Sequence, residues 1–489
     1  MQLTKDLYKS SLSLLTDLYQ LTMAYGYWKS GKAEQEAVFH LFFRKHPFKG
    51  GFTIACGLEQ VIDYLQQIKL SEDDIDYLAT LEGNDQKPLF EQGFLDYLRQ
   101  MEFTCDVHAI PEGTAVFPHE PLIRIQGPVI QAQIIETALL NIINFQSLIA
   151  TKAARMIVAT KGEPVLEFGL RRAQGIDGAL MSSRAAYIGG CSSTSNVLAG
   201  KLYGIPVKGT HAHSWVMSFD TELEAFDTYA AVLPNNCVFL VDTFDTIQGV
   251  KHAVEIGKKI RKKGFEMVGI RLDSGDLAYL SIEARKILDE NGFPNAQIVA
   301  SNDLDENIIT SLKEQGAKIN VWGVGTKLVT AYDQPALGGV YKIAAIKNKN
   351  NEWDYKVKLS EQAIKVSNPG ILQVRRFEEK GEYIGDMIYN LAKPIPDEST
   401  MIDPADVTHR KSFDKNTEYK DLLVPIFEKG KLVYQKPSIQ TIKENVEKSL
   451  NYFHQGIKRF VNPHSYPVGL EKGLSNDKYD LIMRLREQK

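Results

Sequence analysis

The sequence predicts an α/β protein in which a barrel of parallel strands follows a mixed α+β domain. Three observations predict it. From Val165 to Thr330, short Val- and Ile-rich runs alternate with helical patterns about seven times, the rhythm of crossover helices linking parallel strands. Nearly every run ends in a cluster of glycine and polar residues. In a barrel all those ends converge on one face, where connecting loops build the active site, whereas an open sheet needs them only at its switch point. Finally, the flanking segments lack this rhythm, and 489 residues exceed one ordinary core, so further domains are expected.

The elements follow in order. An amphipathic helix over Leu14–Ser30, capped by Ser13 or Thr16, opens the chain. Ala37–Phe43 reads as a strand ending at the basic turn Arg44-Lys45-His46-Pro47. Helical patterns cover Leu58–Gln67, Ser71–Leu81 and Gln92–Met101, and strands at Cys105–Ala109 and Pro121–Gln126 flank Pro111-Glu112-Gly113. A first domain, residues 1–130, closes near Pro128, and a long helix, Gln131–Thr160, leads into a barrel domain over residues 131–340.

The barrel runs end at Glu167-Phe168-Gly169, Gly190-Cys191-Ser192, Val207-Lys208-Gly209-Thr210 and Val241-Asp242-Thr243. They continue at Gly269 to Asp273, Ala300 to Asp303 and Val321 to Gly325. Residues 341–436 then read as β-rich. One hairpin pairs Tyr341–Lys347 with Tyr355–Leu359, another pairs Ile371–Phe377 with Tyr383–Asn390, and both are expected to rejoin the first domain's sheet. A helical tail, residues 437–489, carries an amphipathic helix over Ser438–Gln455 and then an irregular end.

Composition narrows the function. A net charge of −4 and a pI near 6.3 disfavour a nucleic-acid or anionic-membrane partner, each of which needs a basic surface. Met1 to Ser10 is charged, with no apolar core for a secretory signal, and no run approaches a bilayer span. Four widely spaced cysteines, Cys56, Cys105, Cys191 and Cys237, read as reduced thiols of a cytoplasmic protein, not as a disulfide frame or zinc site.

The strand ends carry the chemistry. Gly209-Thr210-His211-Ala212-His213-Ser214-Trp215 follows a strand and opens a helix, so free backbone amides and a histidine can meet phosphate oxygens; two histidines are too few for a zinc site. Arg271 and Asp273, two apart on a strand, project to one face, either as a functional pair at the barrel mouth or as a plain ion pair. Glu167 to Arg172 supplies Phe168, which is a core side chain or a stacking surface for a flat ring, and two guanidiniums suited to carboxylate or phosphate. Trp322 to Lys327 brings glycines, a hydroxyl and a lysine that can cradle phosphate. Ser301-Asn302-Asp303 either caps the next helix or binds sugar hydroxyls or Mg²⁺. One mouth with arginines, a histidine, acids and amide-rich turns suits a phosphorylated sugar with a metal.

Thr16 to Met23, Glu167 to Arg172, Gly209 to Ser214, Asp273 to Asp276 and Gly323 to Thr326 together resemble the nicotinate phosphoribosyltransferases, in order from about residue 11 to 390. The resemblance implies an irregular TIM-like α/β barrel beside an N-terminal α+β sandwich domain completed by later strands. It implies a homodimer with active sites at the interface. The implied reaction, the first step of NAD salvage from nicotinic acid, joins nicotinate to phosphoribosyl pyrophosphate, coupled to ATP hydrolysis with Mg²⁺ held through substrate phosphates. His213 then corresponds to the histidine that ATP phosphorylates. Phe168 and a partner subunit's Tyr19 would sandwich the ring. Arg171 and Thr210 would lie near nicotinate, and Arg271 and Asp273 near ring and ribose. Asn302, Asp303, Gly323, Gly325 and Thr326 would bind the phosphoribosyl group. Ser195 stands where nicotinamide-using relatives carry an aspartate. A hydroxyl can donate to a carboxylate that an aspartate would repel, which favours the acid. The rival readings are a nicotinamide or quinolinate enzyme, a barrel aldolase or isomerase, and a non-catalytic binding protein.

Overall fold

The computed structural model describes residues 11–362 and 365–487; the charged stretch at residues 1–10 lies outside the described residues. Contacts divide the chain into two compact units. The first comprises residues 1–147, 336–438 and 448–489, and the second comprises residues 148–335 and 439–447.

In the first unit a seven-stranded antiparallel sheet runs in the order Trp353–Tyr355, Gly339–Lys347, Glu36–Phe43, Ile123–Pro128, Asp106–Ala109, Val424–Glu428, Lys431–Leu432. Later strands thus complete an early sheet, as expected. Seven of the eight residues of Glu36–Phe43 are buried, which is why this strand reads as an unbroken apolar run and stands inside the sheet. The first hairpin forms, but its second arm is Trp353–Tyr355 and not Tyr355–Leu359, with Lys347 facing Trp353 and Ala345 facing Tyr355.

The second hairpin, Leu372–Glu379 with Glu382–Asn390, corrects the expectation. It does not rejoin that sheet but centres another, flanked by Glu418–Asp421 on one side and by Val468–Glu471, Ser399–Ile402 and Arg410–Phe413 on the other. Its own inward face explains this, because Phe377 and Met387 bury against Met401 and Phe413. The tail is also more regular than expected: Ile439–Asn451 is helical, and Val468–Glu471 and Lys472–Glu487 add a strand and a helix.

Two helix boundaries differ. The first helix starts at Leu18, with Asp17 as its N-cap. Ser13 sits in a separate 3₁₀ turn, and the Thr16 hydroxyl donates to the carbonyl of Ile134 at 3.1 Å, so neither is free to cap. The long helix breaks at Ile135 into Val129–Ile134 and Glu136–Thr160. Contrary to the sequence expectation, Val129–Thr160 is long and apolar enough to cross a membrane, yet 61% of its most apolar window is buried inside the protein. That burial marks a core helix.

The second unit is built on six parallel strands: β1 (Val165–Glu167), β2 (Ser193–Thr194), β3 (Val238–Leu240), β4 (Gly269–Leu272), β5 (Gln297–Ala300) and β6 (Val321–Val324). Their spatial order is β2-β1-β6-β5-β4-β3. Helices alternate with them: α1 (Gly175–Ile188), α2 (Val197–Tyr203), α3 (His213–Val216), α4 (Glu222–Val232), α5 (Thr246–Arg261), α6 (Leu277–Glu290), α7 (Glu306–Glu314) and α8 (Thr326–Val329). The apolar run before Gly190 belongs to α1, and its strand follows the glycines instead. Beyond β2 the chain adds one parallel bridge, Thr194 to Val207. Among the described residues no backbone pairing joins that segment to β3, so the sheet is parallel but not a closed ring.

Candidate active site

The carboxyl ends of β1, β4, β5 and β6 open on a cavity of about 280 Å³. Phe168, Arg171, Arg172, Ser195, Thr210, Arg271, Asp273, Asn302, Asp303, Gly323, Gly325 and Thr326 all line it. Of the expected site residues it gathers all but two, His213 and Tyr19.

Glu167 shapes the floor. Its buried carboxylate accepts from the Gly169 amide, from Ser183 Oγ at 2.9 Å and from Thr194 Oγ1 at 2.5 Å. These bonds pin the turn that carries Phe168, whose own amide donates to Val324 O at 2.8 Å. A Cβ on Gly169 would lie 2.2 Å from Val329 Cγ1, and one on Gly323 would lie 2.9 Å from the Phe168 ring. Both positions therefore exclude side chains, and the ring occupies the space that Gly323 leaves.

Arg271 is the hub. Its Nε donates to Ser301 Oγ, Nη1 to Thr210 Oγ1 and Nη2 to Asp273 Oδ1, each at 2.8 Å. Its guanidinium carbon lies 5.8 Å from the Phe168 ring centre, a cation–π distance. Burial pushes the Asp273 carboxyl up, but hydrogen bonds from Ser301 and Arg271, with the charges of Arg271 and His213, outweigh it and hold the group below the usual range. Arg171 and Arg172, on the 3₁₀ turn Leu170–Arg172, are exposed, and their guanidiniums make no hydrogen bond to protein among the described residues. These are the two guanidiniums open to a ligand.

His213 stands at the edge of the cavity, not in its lining. Its Nδ1 lies 3.1 Å from Thr243 Oγ1 and its Nε2 lies 3.8 Å from Asp273 Oδ2. The helix it opens, α3, is only four residues long, which leaves little of the dipole expected from a helix start. His211 has another fate. It is 8% exposed, its Nε2 accepts the Leu240 amide at 3.3 Å, and its ring lies among Phe226, Tyr229 and Phe239. Burial lowers its pKa to about 4. The two histidines are not a ligand pair.

Asn302 and Asp303 both take left-handed backbone, with φ of 98° and 41°. Such strain in non-glycine residues concentrates at functional turns. Lys327, the lysine of the glycine-rich segment Trp322 to Lys327, does not line the cavity. Its Nζ meets Asp305 Oδ2 at 2.6 Å, and this bond leads the causes that raise its pKa. Asp305 also caps α7 through the amides of Asn307 and Ile308.

Sequence reasoning missed three contributors: Thr243, Glu167 as a hydrogen-bond anchor, and Asp242. Asp242 Oδ2 accepts the Asp273 amide at 2.7 Å and Ser274 Oγ at 2.8 Å, while its buried Oδ1 has no partner. All three sit at strand ends, the one signal that could have found them. Tyr19 belongs to the first unit and is 49% exposed. No group of three or more His, Cys, Asp or Glu side chains is arranged to hold a metal among the described residues.

Models of three domains match the chain in order: the nicotinate phosphoribosyltransferase N-terminal domain over residues 14–144, the nicotinate phosphoribosyltransferase family over 164–369, and its C-terminal domain over 373–478. A nicotinate phosphoribosyltransferase of Bacillus subtilis is 45% identical over 98% of this chain and 96% of its own length. The Homo sapiens nicotinate phosphoribosyltransferase is 33% identical over 94% of this chain and 95% of its own. The crystal structure of human nicotinic acid phosphoribosyltransferase superimposes with a TM-score of 0.82 and 30% identity, over 95% of this chain and 99% of that one.

Proposed function

The chain belongs to the nicotinate phosphoribosyltransferase family and is an enzyme of that kind, and from its site we propose the substrate, the coupling and the role of each residue. The substrate pair is nicotinate and phosphoribosyl pyrophosphate. The observation that carries this reading is one small cavity with an aromatic face, two uncommitted guanidiniums, and strained and glycine-lined turns around a saturated Arg271–Asp273 pair.

The ring lies on Phe168, with its carboxylate toward Arg171 or Arg172 and the Ser195 hydroxyl. Its nitrogen lone pair forms the bond to the anomeric carbon as the bond from that carbon to the pyrophosphate oxygen breaks. The ribosyl centre passes through an oxocarbenium-like state. Asp273, held ionised, faces that developing positive charge, and Arg271 fixes the orientation of Asp273. Turns at Asn302–Asp303 and Gly323–Thr326 receive the 5′-phosphate through backbone amides. Mg²⁺ fits as a cation held mainly by pyrophosphate oxygens and water, with Asp273 and Asp303 as the carboxylates in reach. When bound, it neutralises charge on the leaving group.

ATP coupling runs through His213. Its ring nitrogen accepts the γ-phosphoryl group as ADP leaves, and water later cleaves the phosphohistidine to phosphate. Thr243 and Asp273, on either side of the ring, support this role by holding it in one orientation. Two copies of the chain form the working unit in the cytoplasm, where the four buried thiols stay reduced. Half-exposed Tyr19 serves the partner's ring site. The strands form an irregular barrel wall whose seam is closed by side chains, the Leu240–His211 bond among them.

The test is incubation with γ-labelled ATP. An acid-labile label that His213→Ala abolishes is the expected result, and no label on the unsubstituted protein would remove ATP coupling from the scheme.

A further inference from the structure

We infer that Glu167 is a positioning residue that sets the ring specificity of the site, a role that rests on the proposed placement of the ring on Phe168 with its carboxylate toward Ser195. One buried side chain holds both of those walls. Glu167 is 1% exposed, at the end of β1, and its side-chain partners all belong to the second unit.

The Phe168 wall is held through one oxygen. Glu167 Oε1 accepts from the amide of Gly169, the residue after Phe168. The Ser195 wall is held through the other. Glu167 Oε2 accepts from Thr194 Oγ1 at 2.5 Å, and Thr194 Oγ1 accepts from the Asn196 amide at 2.9 Å. The main-chain carbonyl of Glu167 accepts from the Ser195 amide itself at 2.9 Å. Ser195 is thus bracketed on both sides and pinned at its own backbone. Ser183 Oγ, on α1, ties these groups together: it donates to Glu167 Oε2 at 2.9 Å and accepts from Asn196 Nδ2 at 3.2 Å. Thr194 and Asn196 are buried, while Ser195 between them lines the cavity. Groups that do not line the cavity therefore place the hydroxyl that does.

This placement matters more to one ring substituent than to another. A carboxylate can only accept, so it needs the Ser195 proton from one direction. A carboxamide both donates and accepts, so it can follow a displaced hydroxyl. Shifting Ser195 therefore costs nicotinate more than nicotinamide. Glu167→Gln keeps the geometry: its carbonyl takes the Gly169 amide, and its NH₂ group donates to the two hydroxyls, which can reverse their roles. Glu167→Ala frees both walls, and Thr194→Val frees the Ser195 wall alone.

The test is steady-state kinetics on full-length variants, reading KM for nicotinate, KM for phosphoribosyl pyrophosphate and the inhibition constant of nicotinamide. Glu167→Ala and Thr194→Val should each raise KM for nicotinate about tenfold, the worth of a hydrogen bond to a charged group. The other two constants should change less, and Glu167→Gln should restore most of the loss. Ser195→Ala is the control for the ring placement and should also raise KM for nicotinate. If it does not, the proposed ring site fails and the role of Glu167 falls with it. If Ser195→Ala weakens nicotinate but Thr194→Val or a folded Glu167→Ala does not, the ring site stands and the positioning role is overturned. Glu167→Gln as impaired as Glu167→Ala would overturn it too, as would a fall in kcat with every KM unchanged. Where Glu167→Ala does not fold, Thr194→Val, which spares the Gly169 bond, decides.

Discussion

His211 and His213, two positions apart, share a motif but not a role. His211 is sealed among aromatic rings as a neutral acceptor for a strand amide, whereas His213 keeps both ring nitrogens near polar partners at the mouth. Periodicity cannot separate them, because His211 lies in the loop and His213 at the start of the short helix α3, and only the folded chain defines the loop's course. Phe168, Arg271 and Asp273 were legible because they stand at or just past the carboxyl ends of two parallel strands, where the site gathers. Thr243 was not, since a lone threonine after Asp242 carries no pattern. At this scale the proposed role of Ser195, as the substrate filter, can be tested directly. Ser195→Asp places a carboxylate against the nicotinate carboxylate and should raise KM for nicotinate at least about tenfold, roughly 1.4 kcal/mol, without a comparable rise for nicotinamide. Steady-state kinetics with both rings checks it, and unchanged nicotinate kinetics would remove Ser195 from the ring site.

Among the elements, the loops after β5 and β6 are coupled. Asp305 starts α7, Lys327 lies in the first turn of α8, and their ion pair ties the Asn302–Asp303 turn to the Gly325–Thr326 turn. Lys152 extends the pattern, meeting Glu306 at 2.7 Å and Asp333 at 2.8 Å. Breaking a largely buried pair leaves an uncompensated charge. Lys327→Met should therefore loosen the two turns proposed to receive the 5′-phosphate, raising KM for phosphoribosyl pyrophosphate about tenfold while kcat changes less, and Lys327→Arg should restore most of it. An equal fall in kcat with KM unchanged would rule out the positioning role. The βα rhythm itself was readable because parallel strands, buried on both faces, appear as short apolar runs. The misplaced boundary near Gly190 has the same origin: Ala185, Ala186, Tyr187 and Ile188 are all buried, so a helix end looks like a strand.

For the molecule as a whole, the sequence showed later strands completing an early sheet but hid the additional sheet. Glu418–Asp421 is exposed along its whole length, and short polar edge strands leave no apolar signature. The proposed shared site makes one whole-molecule prediction. If Tyr19 serves the partner's pocket, Tyr19→Ala and His213→Ala chains should each be nearly inactive alone, yet regain activity when mixed and reassembled, as one of the two sites in a mixed dimer is intact. No recovery in a mixture shown to exchange subunits would place Tyr19 outside the partner's site. The division of the chain also bears on its synthesis. Residues 148–335 form nearly all of one unit without interruption, whereas the other needs residues 1–147 together with segments beyond 336 and 448. At roughly 5–20 residues per second, strand Glu36–Phe43 leaves the ribosome long before its neighbour Gly339–Lys347 exists. The middle of the protein can thus fold while its beginning waits, one edge of the strand Glu36–Phe43 staying unpaired until Gly339–Lys347 emerges.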